Sequence, residues 1–167
     1  MDRLSKEILK ELLPAEREAV PRPASKQALR QNHLDHWSPA ILLERAAYLR
    51  KLAKQGDGSA SETLREYPRH CAMLLFRSRN GVVEVHENFA DLFCVLEGRA
   101  TLLTGGTVAG LETIAPGEMR GVSMEGGARL ELRAGDVAHV PAGLPHQMLV
   151  PGDKTVTCMV IKIQENP

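Results

Sequence analysis

Two short stretches of this chain carry side chains of the types that bind metal ions. The first reads Glu84-Val-His86-Glu-Asn-Phe-Ala-Asp91-Leu-Phe-Cys-Val-Leu-Glu-Gly98. Residues two apart in a strand share a face, so Glu84 and His86 point the same way. A short turn then lets Asp91, opening the next strand, return to the same spot. The second stretch reads Gly135-Asp-Val-Ala-His-Val-Pro141-Ala-Gly143-Leu-Pro-His146. Gly135 permits a tight turn, and Pro141 with Gly143 bends the chain so that His146 is aimed into a cavity.

Each residue also has a plainer reading. A lone histidine is usually a satisfied core or rim residue, and it is the pairing of His86 with His146 that favours ligation. Asp91 could cap the turn at Phe89-Ala90-Asp91. Glu84 has three open roles: a ligand, a partner that fixes the tautomer of His86, or a general base. His139 is expected to face outward, and His33, His36 and His70 have no converging partner. Arg120 and Gln147 are possible cavity groups of unfixed direction.

The elements that must position these residues change character near residue 65. Before it the pattern is helical. Leu4, Ile8 and Leu12 share one face of a short helix, and Pro14, Pro21 and Pro23 make residues 14–26 a linker. A second helix has Ser38 as N-cap, Pro39 at its first position, and a stripe of Ile41, Leu42, Ala46, Leu49, Leu52 and Ala53. Gly56 ends it, ahead of a flexible Asp-Gly-Ser-Ala-Ser run. Trp37 is expected to dock this helix. Its stripe needs cover from the rest of the fold or from a second chain.

After residue 65, short strands alternate with Asn-Gly, Gly-Gly and Pro-Gly turns. The expected strands are 70–76, 82–87, 92–96, 99–103, 128–132, 137–140, 147–150 and 155–163. The Gly-rich stretch 105–127 reads as hairpin turns and a connecting loop. The domain expectation is therefore a helical extension over 1–65 and a β domain over 66–167.

Composition narrows the function classes. Lys plus Arg and Asp plus Glu are equal at 21 each, so there is no electrostatic footprint for nucleic acid or an anionic membrane. The N-terminal apolar residues are interrupted by Lys6, Glu7, Lys10 and Glu11, and no run is long enough for a span, so a cytoplasmic location is expected. Cys71, Cys94 and Cys158 are scattered and odd in number, which fits reduced thiols rather than a disulfide framework.

The two stretches together resemble the paired motifs of the cupin superfamily, over residues 70–163. Glu84 stands at the first His of the His-x-His motif, His86 at the second, Asp91 at its Glu and Gly98 at its Gly. Gly135, Pro141, Gly143 and His146 match the second motif, with Val150 in place of its Asn. The resemblance implies a mainly β fold, a cupin-type antiparallel β-barrel or jelly roll with N-terminal α-helices. Its cavity should be apolar, with Val95, Leu102, Met148 and Val160 among its lining. It also implies a divalent ion (zinc, iron, manganese or nickel) held by Glu84, His86, Asp91 and His146. Two histidines with carboxylates suit such ions better than copper. If Glu84 stays unbound, the other three form a 2-His-1-carboxylate set with open positions. The implied partners are a small-molecule ligand and a second copy in a homodimer. The implied activities are an oxygenase, isomerase or decarboxylase, with Glu84 as a catalytic proton carrier, or else non-catalytic binding or sensing.

Overall fold

The structure is a computed structural model and describes residues 34–165. The expected helix near Leu4–Leu13, the linker after it and His33 lie outside the described residues. Helix α1 spans Pro39–Gln55, and Ser38 caps it by accepting a hydrogen bond from the Ile41 amide at 3.3 Å. The strands are β1 Ser59–Tyr67, β2 His70–Arg77, β3 Val83–His86, β4 Phe89–Thr104, β5 Thr107–Ala109 and β6 Glu112–Ala115. They continue with β7 Glu118–Gly121, β8 Ser123–Glu125, β9 Ala128–Arg133, β10 Val137–Val140, β11 His146–Leu149 and β12 Val156–Gln164.

One sheet runs in the order β1-β2-β12-β4-β11-β3-β7-β6, with β9 and β10 also pairing to β4. All its pairings are antiparallel. The sheet curls into a jelly-roll half-barrel. Its interior holds Phe93, Val95, Leu102, Val140, Met148 and Val160. The apolar stripe of α1 packs on β1 and β2, where Leu42, Ala46, Leu49 and Ala53 meet Leu74 and Phe76. Trp37 packs against this cluster, as a docking aromatic should. The stripe is thus covered within one chain except at Ile41, which is exposed, and burial of this kind supplies most of a helix's stability.

Three expectations need correction. The strand grammar begins at Ser59, ahead of residue 65, because the Asp-Gly-Ser run turns directly into an edge strand. Stretches 92–96 and 99–103 are one continuous strand, β4, bent at Gly98. Gly98 has φ +77°, and a Cβ there would lie 1.9 Å from the Thr155 carbonyl oxygen. A glycine thus lets the strand continue where any other residue would collide. Third, the 105–127 stretch is not merely turns and loop: it contains β5 to β8. These strands are three or four residues long. That is too short for the alternation to stand out among so many glycines.

No helix among the described residues is long and apolar enough to cross a membrane. All three cysteines are free, and burial pushes the Cys158 thiol up to about 12.

Gly98→Ala should cost at least about 2 kcal/mol, since a left-handed backbone alone costs roughly 1–3 kcal/mol for other residues. Urea unfolding would show a lower midpoint at unchanged slope. A midpoint equal to the parent's would show that β4 bends without needing glycine.

Candidate metal centre

Strand β3 lies between β7 and β11, and its register places the site. Glu84 is opposite Arg120 of β7 and His146 of β11, and His86 is opposite Glu118. On the other side of the cavity, β4 carries Asp91 opposite Lys162 of β12. The loop before β11 is clipped to β3 by a hydrogen bond from the Gly143 amide to the His86 carbonyl, 2.8 Å. Gly143 has φ +78°, the conformation that lets the Pro141 loop turn back here.

Glu84, His86, Asp91 and His146 converge. Each offers one donor atom, and the four atoms lie within 4.8 Å of one another. His86 Nε2 is 3.3 Å from both Glu84 Oε2 and Asp91 Oδ2, and His146 Nε2 is 3.5 Å from Asp91 Oδ2. These separations are long for hydrogen bonds, and both Nε2 atoms are buried without a hydrogen-bond partner. Donors bound to a divalent ion at about 2.1 Å sit about 3.0–3.4 Å apart across a coordination edge. These three separations are therefore close to the edges of a coordination shell around a cation.

The outer nitrogens are already committed. His86 Nδ1 is 2.6 Å from Glu118 Oε2, and His146 Nδ1 is 3.1 Å from the Leu144 carbonyl oxygen. A proton on Nδ1 leaves the Nε2 lone pair facing the other donors, the arrangement that orients imidazoles for ligation. Lys162 Nζ holds Asp91 Oδ1 at 2.8 Å, so Oδ2 is the oxygen left facing inward. Arg77 reaches Glu84 Oε1 at 3.4 Å and Arg120 reaches Oε2 at 3.8 Å.

The charges interlock. Burial pushes the Glu84 carboxyl up, but His86, Arg120, His146 and Arg77 outweigh it and bring it down to about 2. Burial likewise opposes ionisation of Asp91, yet His146, His86 and Lys162 hold its carboxyl well below the usual range. For His86, burial lowers the pKa while Asp91 and Glu84 raise it, to about 9. Two ionised carboxylates therefore demand a cation at His86 Nε2. A proton supplies it in the bare protein, and a metal ion would displace that proton.

The cluster opens into a cavity of about 270 Å³, whose apolar side includes Met73, Leu75, Phe93, Met148 and Val160. Two of the expected lining residues, Met148 and Val160, are there. Val95 and Leu102 are instead buried in the core without reaching the cavity. Arg120 lines it, whereas Gln147 is tied to the Gly81 carbonyl. His139 is half exposed on β10, beside Glu165. His36 is exposed, and His70 stacks on Tyr67. Sequence reasoning missed Glu118, Lys162 and Arg77. A signal existed for Glu118: it is two residues from Arg120 after a Pro-Gly turn, which is the alternation of a strand.

In metal-stripped protein the His86 ring nitrogens should titrate near pH 9. The raised pKa contributes stability that is complete below the ordinary imidazole value of 6.5 and is lost as pH rises through about 9. Ring ¹⁵N shifts would report this, and a midpoint at or below 6.5 would show that the carboxylates do not hold the proton.

Comparison with known proteins bears on the fold. A family model described as the cupin domain matches residues 113–162, which include the Gly135–His146 stretch but not Glu84, His86 or Asp91. No curated protein is matched. A crystal structure from Thermus thermophilus is similar at TM-score 0.52 and 19% identity, covering 73% of this chain and 93% of that one. The cupin domain of Cnp3 from Schizosaccharomyces pombe gives 0.48 and 14%, covering 64% of this chain and 65% of that one, just under two thirds of its length. The polyketide cyclase RemF from Streptomyces resistomycificus gives 0.48 and 18%, over 66% and 68%. Residues 113–162 thus match the cupin domain in sequence, and the curled antiparallel sheet shares its fold with the Thermus thermophilus protein.

Proposed function

We infer that the barrel binds a divalent metal ion through His86, His146, Asp91 and Glu84, and acts as a metal-dependent enzyme on a small organic molecule in the adjoining cavity. One observation carries the metal reading: two buried imidazole nitrogens lack hydrogen-bond partners and face two ionised carboxylates, while their outer nitrogens are already held. Burying such a set with nothing at its centre is costly, and a cation removes the cost. A bound ion would supply Lewis acidity toward a carbonyl or similar group.

Within this reading Glu84 is a ligand rather than a proton carrier. A carboxyl brought down to about 2 is a weak base, far from the pH at which general bases work best. Glu118 orients His86, and Lys162 orients Asp91. The apolar side of the cavity, with Phe93 and Met148, excludes water and gives the carbon skeleton of a substrate a place to lie.

The double variant His86→Ala, His146→Ala should purify without bound metal by elemental analysis, while the parent holds about one ion per chain. Stoichiometric metal in the double variant would overturn the site. Glu118→Ala should weaken metal affinity about 10–100-fold through loss of imidazole orientation, measured by competition with a chelating dye. Equal affinity would mean that Glu118 does not act through His86. A metal-free barrel that retains an organic ligand would favour the non-catalytic binding reading instead.

A further inference from the structure

Leaving the imidazoles aside, the charged side chains around the cluster are balanced. Glu84, Asp91 and Glu118 are the carboxylates, and Arg77, Arg120 and Lys162 are the cations that contact them. A divalent ion in place of the His86 proton would leave this buried site with a surplus of two positive charges. That surplus calls for an anion in the cavity.

The two arginines are placed to receive it. Elsewhere in the chain Arg45 grips Glu62 with a two-pronged pair at 2.6 and 2.7 Å, the geometry of a structural ion pair. Arg77 and Arg120 do not hold Glu84 this way. Each approaches it with one nitrogen, at 3.4 and 3.8 Å, and Arg77 Nε is buried with no hydrogen-bond partner. Arg120 spends its other terminal nitrogen on Met119 and Glu118. Both side chains line the cavity beside the cluster. A guanidinium carries five donors, more than these contacts use. The cavity, at about 270 Å³, falls just under the usual range of roughly 300–1,000 Å³ for drug-sized ligands, so the solute is small.

We propose that Arg77 and Arg120 form an anion subsite beside the metal position, and that the natural ligand is a small organic acid. Its carboxylate pairs with the two guanidiniums, and a second oxygen one to three carbons away reaches the ion. This deepens the metal reading above and rests on it. Ser61, on the cavity wall from β1, faces the remainder of such a ligand.

The test uses the full chain loaded with zinc, a redox-inert probe ion, and calorimetric titration with malonate and succinate. Malonamide and succinamide are uncharged controls of equal size. At least one diacid should bind, and its amide should bind at least tenfold more weakly. Arg77→Met and Arg120→Met should each weaken the diacid about ten- to hundredfold. Zinc affinity should be retained or increased in both, because a repelling cation has been removed. Arg77→Lys and Arg120→Lys keep the charge without the fork, guard against a misfolded Met variant, and should give intermediate losses. Equal binding of acid and amide, or unchanged diacid affinity in the arginine variants, would overturn the subsite while leaving the metal reading intact. Failure of the parent to bind zinc would overturn the metal reading and the subsite with it.

Discussion

The four residues Val83–His86 are wedged between β7 and β11, and the register of that short strand fixes nearly every group in the site. Side chains of a strand alternate between faces, so a slip of one residue would turn Glu84 and His86 outward and bring Val83 and Val85 into the cavity. The slip is opposed by burial, since Val83 is 0% and Val85 4% exposed in their present places. It is opposed as well by charge. In the observed register His86 meets Glu118 and Glu84 meets Arg120, each pair of opposite tendency across the strands. The hydrophobic pattern and the electrostatic pattern select the same alignment.

From that alignment follows a site held by layers of partners. The inner donors are two imidazoles and two carboxylates. Around them, Glu118, Lys162 and the Leu144 carbonyl each occupy the outward atom of an inner group. The two Nε2 atoms are left without hydrogen-bond partners in a space where unmet polar groups are expensive. The site is thus shaped for something positive: a proton on His86 in the bare protein, or, in the proposed function, a metal ion in its place. Placing Arg77 and Arg120 beside Glu84 keeps that carboxylate ionised. It also leaves cationic donors facing the cavity.

The carbon-lined half of the cavity comes from the same rule of alternation applied to other strands. Met73 and Leu75 on β2, Phe93 on β4, Met148 on β11 and Val160 on β12 share the inner face with the charged residues of the same strands. Polar chemistry and apolar wall are therefore neighbours along each strand rather than separate regions. The outer face does different work: Leu74 and Phe76 of β2 bury the stripe of α1. The helix braces the sheet from outside, and its groups take no part in the cavity.

Much of this was legible in the sequence by itself. Turn residues and alternating runs are local signals, so a β domain, most of its strands and the capped helix at Ser38–Gly56 could be read from neighbours along the chain, and the barrel from the motif resemblance. The candidate ligands Glu84, His86, Asp91 and His146 could be read too, because strand spacing and the Pro141–Gly143 bend act over a few residues. What the sequence could not decide were relations between distant strands. Glu118 lies 32 residues from the His86 it orients, and Lys162 lies 71 from the Asp91 it holds. Only the pairing of β3 with β7 and of β4 with β12 brings them together. Whether Val95 and Leu102 line the cavity or fill the core depended in the same way on how far the sheet curls, which is a property of the closed structure and of no single strand.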